Sequence, residues 1–210
     1  MANEEQLSIL KQGVEVWNKW RITNRIDFVD LSGVDLSNSV FRGVNLRHAN
    51  LSKTNFHSAL IVESDLSECN LEETSFKNAE LSMVNLSYAY LKGTDFTGAF
   101  LASLLIDRTD LSNSLGLEQA NHSGPSSIGT NTIQFSKGKI PEKFLRGCGL
   151  SDLEIESAKL AKPGLDAQQV TDITYKIHQL YLGKGIQYYS CFISYSSKDQ
   201  EFAQSLHDDL

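Results

Sequence analysis

The residues of this chain that could carry chemistry are regularly spaced Asp and Asn side chains, five histidines and three cysteines. Carboxylates can act as general acids and bases, and carboxylate, imidazole and thiolate groups can bind metals. The Asp and Asn residues, however, mostly stand one position before a large apolar residue, inside a five-residue repeat with polar neighbours. At such positions these side chains usually accept hydrogen bonds from nearby backbone, so we predict that they stabilise turns.

The histidines and cysteines are too scattered to predict a site. The five histidines are His48, His57, His122, His178 and His207. We interpret them as solvated surface residues. The three cysteines are Cys69, Cys148 and Cys191. Their odd number and wide separation predict neither disulfides nor a metal site and favour a reducing compartment, with Cys69 as an inert core thiol. The sequence also has no glycine-rich phosphate loop and no nucleophile elbow, so we predict that this chain is not an enzyme and holds no cofactor.

The composition is that of a protein with a core, 40% apolar and 21% charged, and the net charge is −7. Residues 26–118 hold six basic and thirteen acidic residues, so the whole imbalance lies there. This charge disfavours direct binding to nucleic-acid phosphates. The start MANEEQ does not have the pattern of a secretory signal, and no apolar run is long enough to cross a membrane. We therefore expect a cytoplasmic protein with no membrane partner.

An apolar residue recurs at every fifth position through the middle of the chain. From Leu31 to Leu111 there are seventeen such residues, all Leu, Phe or Ile, and most have a small residue two positions earlier. A helix would scatter this period around its circumference, and a flat strand would send alternate members to opposite faces. Each unit therefore buries one large and one small side chain, turns, and stacks on its neighbours, which predicts a solenoid.

The repeated unit, A(D/N)LXX, resembles the pentapeptide-repeat family. The resemblance implies a mainly β fold, a right-handed quadrilateral β-helix with four units per coil, so seventeen units give about four coils. Positions twenty apart should then stack. Seven positions before the apolar residue are neither Asp nor Asn, and four of them share one twenty-residue register: Val40, Leu60, Glu80 and Phe100. This agrees with the implied coil length.

The segments on either side of residues 26–118 have helical patterns. In residues 1–25, Leu7, Leu10, Val14 and Trp17 fall at helical spacing. They predict a helix over about residues 4–20, which either caps the first coil or binds a partner. Residues 119–187 predict a helical bridge.

Three signals place the helices of this bridge. Pro141 begins one helix, and Gly147 or Gly149 ends it. The stretch SDLE from Ser151 is a capping box. Asp166 begins a longer helix that Gly183 ends, with an apolar face of Val170, Ile173, Ile177 and Leu180.

Residues 188–210 have the pattern of a strand, a short turn and an amphipathic helix, and CFISYSSKD resembles the first motif of TIR (Toll/interleukin-receptor) domains. A solenoid followed by QFSKGKIPEKFLRG and a TIR start resembles a bacterial domain pairing. The resemblance implies signal transduction by self-association, and many bacterial TIR domains cleave the nicotinamide bond of NAD. The family's catalytic glutamate has no counterpart among these residues, so NAD would be a substrate only of a parent protein with a complete TIR domain.

Val40, Leu60 and Phe100 form the candidate interaction surface, on one outer face of the predicted solenoid. Glu80 interrupts them. The surface could bind a partner or a second copy, be covered by the chain's own C-terminal segment, or be idle exposed apolar area.

Three functions fit the sequence. The first is a non-catalytic scaffold region of a bacterial TIR-domain signalling protein whose full-length parent hydrolyses NAD. The second follows from the pentapeptide resemblance: some members imitate duplex DNA and bind DNA gyrase, and the negative charge of residues 26–118 suits such a mimic. The third is a plain protein-interaction solenoid.

Overall fold

The computed structural model describes residues 2–182. Two helices come first, short strands follow, and helices end the described chain. The elements are α1 (Glu4–Leu10), α2 (Val14–Asn24), β1 (Val29–Asp30), β2 (Val40–Arg42), β3 (Ala49–Asn50), β4 (Leu60–Val62), β5 (Glu80–Ser82), β6 (Phe100–Ala102), β7 (Leu105–Ile106), β8 (Asn121–His122), β9 (Ser127–Ile128), α3 (Thr130–Phe135), α4 (Glu142–Gly147), α5 (Asp152–Ala158), a 3₁₀ turn (Lys159–Ala161) and α6 (Ala167–Leu182).

The strands pair in parallel with partners twenty residues away, as the repeat predicts. Val40 pairs with Leu60, Leu60 with Glu80, and Glu80 with Phe100. Isolated bridges with the same spacing run through three further positions of each turn, such as Asn50 with Asn70. One turn is therefore twenty residues, or four repeat units, and the chain forms a β-solenoid. The right hand and the quadrilateral section stay predictions.

The stack has about five turns, not the four expected from the regular repeat. The largest sheet has the order β2-β4-β5-β6-β8, so it contains five strands. The five-residue spacing ends at Gly116, but Asn121 still pairs with Phe100, and Ser127 with Leu105. Relative to a twenty-residue turn, the chain has one extra residue between Phe100 and Asn121 and two between Leu105 and Ser127. Pairing nevertheless continues past residue 118. The regular spacing alone therefore underestimates the length of the solenoid.

The interior of the solenoid is filled by the large residues of the repeat. Phe56, Phe76 and Phe96 stack over one another, with ring centroids 5.2 and 5.6 Å apart. Small inward residues satisfy the backbone between them: the Thr54 hydroxyl donates to the carbonyl oxygen of Leu31 at 2.9 Å. Each buried Leu or Phe contributes roughly 1.5–3 kcal/mol of transfer free energy, so this column is the main source of stability.

The Asp and Asn side chains of the repeat stabilise its corners. Asp35 Oδ1 accepts the backbone N–H of Ser37 at 3.0 Å, and Asn55 Oδ1 accepts that of His57 at the same distance. The amide of Asn55 also donates to Asp35 on the turn below, at 2.9 Å. This confirms the turn-forming interpretation of these residues.

The N-terminal segment covers the first turn with two helices, so the single helix predicted for residues 4–20 is wrong. The chain breaks at Gly13, whose φ of 115° lies in the region that favours glycine. Trp17 is fully buried, and its Nε1 donates to the carbonyl oxygen of Asn45 at 2.8 Å. Arg21 donates to the carbonyl oxygens of Asn45 and Arg47, both at 2.9 Å. These bonds satisfy backbone that a solenoid end would otherwise expose.

Helices α3, α4 and α5 cover the other end and are called the C-terminal bundle below. The apolar side chains buried in this region are Ile140, Phe144, Leu145, Cys148, Ile155 and Ala158. As predicted, Pro141 stands at the start of α4, which ends at Gly147, and Ser151 forms a capping box with Glu154. The Ser136 hydroxyl accepts the N–H of Leu111 at 3.0 Å, which joins the bundle to the last turns.

Helix α6 packs on α5 but buries none of its residues. Asp166 caps its start, where Oδ1 accepts the N–H of Gln169 at 2.8 Å. The predicted end at Gly183 and the TIR-like residues 188–210 lie outside the described residues. Within residues 2–182, no helix has both the length and the hydropathy that a membrane span requires.

Candidate interaction surface

The three residues of the predicted surface lie in one ladder on the outside of the solenoid. Alternation along the strands turns Phe41 and Ile61 inward and leaves Val40, Leu60 and Phe100 outward. Val40 is 59% exposed and Phe100 48%, whereas Leu60 is half-buried. This outer side of β2, β4, β5 and β6 is called the stripe face below. The structure thus brings the residues together, and their binding role stays a prediction.

The stripe face has a second outward column that the sequence analysis missed. Arg42, Val62, Ser82 and Ala102 pair in register two positions along the same strands. Met83, at the adjoining corner, is 49% exposed. The twenty-residue register could have revealed this column, because it also aligns the positions one after each repeated apolar residue. Val62 is only 9% exposed, so Met83 and the partly exposed Ala102 are the residues that extend the apolar area beyond the three predicted ones.

The described C-terminal residues do not cover the stripe face. The bundle packs over the end of the stack, where β8 and β9 lie, and leaves Val40 and Phe100 about half exposed. Of the three alternatives left open by the sequence, cover by residues 119–182 is therefore wrong. The physical reason is that the last turn exposes its own interior column, whose burial contributes more than that of the outer stripe.

Two charged residues lie on the stripe face, and neither has an ion-pair partner within residues 2–182. Arg42 is on β2, Glu80 is on β5, and β4 lies between them. Most other basic residues of the solenoid pair with an acid on the next turn: Arg47 Nη2 lies 2.6 Å from Glu68 Oε1, and Lys92 Nζ lies 2.9 Å from Glu72 Oε1. Arg42 and Glu80 therefore distinguish the stripe face from the rest of the solenoid, where most basic residues are paired.

Cys69 and Cys148 are buried, which disfavours the reactive thiolate form. Burial raises the pKa of Cys69 to about 12, and its thiol donates to the carbonyl oxygen of Leu46. Burial also raises the pKa of Cys148 to about 12. Among residues 2–182, no group of three or more His, Cys, Asp or Glu side chains is placed to hold a metal ion. Cys191 lies outside the described residues.

His122 is not the solvated surface residue that the sequence predicts. It pairs with Leu101 and so occupies the inward column of the solenoid, in the last turn. Its ring meets the edge of Phe144 on α4, with centroids 5.0 Å apart, and both ring nitrogens are buried without a hydrogen-bond partner. Burial, and secondarily the charge of Lys143, lower the pKa of His122. His48, His57 and His178 are exposed as predicted, and His207 lies outside the described residues.

An apolar groove lies between the last turn and the bundle. Ile128, Ile133, Leu150 and Leu153 line it, with the hydroxyls of Ser126 and Ser157 at its edge. The stripe face, with its apolar columns and two free charges, is the stronger candidate for binding.

A family of known proteins matches the middle of the chain. The family model described as pentapeptide repeats matches residues 27–61 and 64–102, in eight copies. No curated protein matches the chain. Among solved structures, a pentapeptide repeat protein from Nostoc Pcc 7120 is 27% identical, with 43% of this chain and 77% of that chain covered and a TM-score of 0.37.

Two further structures are more distant. A pentapeptide repeat protein from the thylakoid lumen of Arabidopsis thaliana is 18% identical, with 66% of this chain and 91% of that chain covered and a TM-score of 0.25. QnrB1, a plasmid-mediated fluoroquinolone resistance protein, is 17% identical, with 47% and 76% covered and a TM-score of 0.16.

Proposed function

Because residues 27–102 of this chain are pentapeptide repeats folded into a capped solenoid, we propose that the chain is a non-catalytic scaffold that binds a protein through its stripe face. One observation carries the proposal. Val40 and Phe100 remain 59% and 48% exposed, while the inward residues of the same strands are buried. Apolar side chains held together on one rigid face gain free energy when a partner removes them from water, at about 25 cal/mol per Å².

The partner binds side chains and not a free sheet edge. At the N-terminal end, Asn18 donates to the carbonyl oxygen of Gly43 and accepts the N–H of Asn45. At the other end, Thr132 Oγ1 accepts the N–H of Thr109. Strand addition needs unpaired backbone groups, and the caps bond several of these groups at each end. Other sides of the solenoid also expose apolar residues, such as Tyr90, Leu105 and Leu115, but each is the single apolar member of its ladder, whereas the stripe face has three.

We extend the proposal to a signalling protein on the resemblance of residues 188–210 to a TIR start. In this proposal the solenoid and bundle assemble a bacterial, cytoplasmic TIR protein, and the full-length parent hydrolyses NAD. The test compares NAD cleavage by this chain with cleavage by the product of the gene read through to its own stop codon. Cleavage by the longer product alone supports the extension. Cleavage by neither, at concentrations that allow association, removes the extension and leaves the scaffold.

DNA mimicry is the less favoured alternative, because the acidic residues do not form a continuous row. The ladder through residues 30, 50, 70 and 90 reads Asp, Asn, Asn, Tyr, and that through 45, 65, 85 and 105 reads Asn, Asp, Asn, Leu. Ion pairs neutralise several of the remaining acids. A mimic of duplex DNA needs regularly spaced negative charges. Inhibition or protection of DNA gyrase by micromolar amounts of this chain in a supercoiling assay would favour the alternative.

The scaffold proposal itself is tested by capturing partners from extracts of the source cells with three variants. Leu60→Asp and Phe100→Asp put a charge on the stripe face, and we expect both to lose partners that the unmodified chain retains. Tyr90→Asp is the matched control, because Tyr90 is 50% exposed at the equivalent repeat position on another side. Equal capture by all three variants, with unchanged melting temperatures, would contradict the proposal.

A further inference from the structure

The outward ladder of the stripe face has a regular spacing along the solenoid. Val40, Leu60, Glu80 and Phe100 pair in register on four neighbouring strands. Neighbouring strands lie about 4.8 Å apart, so these side chains stand at about 0, 4.8, 9.6 and 14.4 Å along the stack. Each strand, by contrast, is three residues long, or roughly 10 Å. The longest row of outward apolar side chains therefore runs across the strands.

This spacing matches one face of an α-helix that lies along the stack. A helix rises about 1.5 Å per residue, so positions i, i+3, i+7 and i+10 of one face stand at about 0, 4.5, 10.5 and 15 Å. Each of these values lies within about 1 Å of the corresponding strand of the ladder. An extended segment presents side chains on one face about every 6.6 Å, so it is out of register by about 3.6 Å after two steps. The ladder therefore fits a helix better than a strand.

The neighbouring column leaves room for a helix over the ladder. Val62, Ser82 and Ala102 lie two positions further along the same strands. Val62 is only 9% exposed, and Ser82 and Ala102 are small and half-buried. A helix over the ladder therefore meets no bulky outward side chain in this column from β4 to β6, and Met83 at the adjoining corner is available to contact its side.

A free carboxylate in the ladder determines one residue of the helix. Glu80 is exposed, and no ion-pair partner for it lies within residues 2–182. An apolar side chain over Glu80 would remove the carboxylate from water without compensation, whereas Lys or Arg at that position forms an ion pair with it. The matching helix is therefore apolar at three of the four positions and basic at the one that faces Glu80.

Arg42 favours one direction of the helix. It lies on β2, in the first turn of the ladder, and is exposed. The last carbonyl groups of a helix carry a partial negative charge, so a helix that ends over β2 places this charge near Arg42. Counted from its own start, such a helix meets Phe100 with position i, Glu80 with i+3, Leu60 with i+7 and Val40 with i+10.

We propose that the stripe face binds an amphipathic helix of a partner protein, apolar at i, i+7 and i+10 and with Lys or Arg at i+3. The inference rests on the proposed function and names its class of partner. The ladders through residues 30–90 and 45–105 each contain a single apolar residue, so neither offers this pattern. A contact with four strands is smaller than a standard interface of about 800 Å² on each partner, so we expect weak binding.

Selection of helices by the whole 210-residue chain tests the pattern. The probe is a displayed library of helical hairpins, in which positions i, i+3, i+7 and i+10 of one helix are randomised and all others are fixed. We expect the binders to carry apolar residues at i, i+7 and i+10, with Lys or Arg at i+3. Selection with Glu80→Lys should give Asp or Glu at i+3 instead, because the facing charge is reversed.

The Kd of one selected hairpin, measured by fluorescence anisotropy, gives the size of the effect. We expect Glu80→Lys to raise the Kd about tenfold or more and Phe100→Asp to abolish measurable binding. Glu118→Lys is the matched control and should leave the Kd unchanged, because it makes the same charge change at an exposed position near α4. Selection of no hairpin, no preference at i+3, or binding that survives Phe100→Asp would each overturn the inference.

Two further measurements separate this inference from its alternatives. Sedimentation velocity of the chain alone shows whether a second copy occupies the face: dimers that Phe100→Asp abolishes would overturn the inference. Partner capture separates it from the scaffold. If capture depends on Leu60 and Phe100 while no hairpin with the pattern is selected, the partner presents a different element and the proposed function stands. Capture that depends on neither residue removes the scaffold and the inference together.

Discussion

The solenoid and the C-terminal bundle lie end to end, but they are stabilised in different ways. In the solenoid each turn repeats the same contacts, with stacked apolar columns inside and Asp or Asn side chains at the corners. In the bundle each contact occurs once: Phe144 on His122, Ser136 on Leu111, and a capping box at Ser151. Stability in the first region is spread over repeated contacts between neighbouring turns, whereas stability in the second depends on individual contacts.

The sharpest test of this contrast replaces one buried Phe in each region by Ala. Phe76 is fully buried between Phe56 and Phe96, so Phe76→Ala opens a cavity in the middle of the stack. We expect it to lower the free energy of unfolding by about 3–5 kcal/mol. Phe144→Ala should cost a similar amount in the bundle, because Phe144 is 2% exposed.

The location of the damage distinguishes the two variants. Hydrogen exchange should show that Phe76→Ala weakens turns on both sides of the substitution, because each turn of a solenoid is stabilised by its contacts with the neighbouring turns. Phe144→Ala should speed exchange in α3–α5 and in the last turn, with little change near Leu46. If both variants speed exchange equally throughout residues 2–182, the regions form one cooperative unit and the contrast is wrong.

The sequence predicts these two regions to different degrees. The twenty-residue turn, the stripe of Val40, Leu60 and Phe100, and the capping box at Ser151 follow from local spacing, because every repeat obeys the same geometry. The fifth turn cannot be predicted in this way, because extra residues between Leu101 and Ile128 shift its strands out of the five-residue spacing. Local sequence signals contain no information about which residue the bundle covers.

His122 illustrates this limit. As a lone polar residue after the regular repeat it resembles a surface histidine, and only its pairing with Leu101 shows that it continues the interior column. Likewise, the break between α1 and α2 depends on the positive φ of Gly13, which the apolar helical pattern of residues 4–20 does not reveal. The free charges Arg42 and Glu80 become notable only when the register places them on one face.

The second prediction concerns acid and is confined to the joint between the two regions. The folded chain holds His122 neutral, because burial and the charge of Lys143 on α4 lower its pKa below the ordinary value of 6.5. The unfolded chain takes up a proton near 6.5, so stability should fall as the pH drops below 6.5 and stop falling once the lowered pKa is passed. Above 6.5 this group should cause no pH dependence. Urea unfolding at a series of pH values measures the effect.

His122→Leu should remove this part of the pH dependence and continue the apolar column. It also removes two buried ring nitrogens that have no hydrogen-bond partner, so we expect a gain of about 1–2 kcal/mol at neutral pH. His57→Leu, at an exposed corner, is the matched control and should change neither quantity. A pH profile that is the same with and without His122 would show that the joint does not sense acid.

The smallest predicted effect compares the helix caps at the two ends of the molecule. Ser151 caps α5 through the N–H of Glu154, and Asn3 caps α1 through the N–H groups of Glu5 and Gln6. Ser151→Ala and Asn3→Ala should each cost about 1 kcal/mol of local stability. Because the caps serve different ends, Ser151→Ala should raise exchange in α5, and Asn3→Ala should raise it in α1. Limited proteolysis should then cut each variant first at its own weakened end.

The opposite pattern, in which either change speeds exchange at the distant end, would mean that the repeated turns couple the two caps. The solenoid would then act as a rigid connector between its ends.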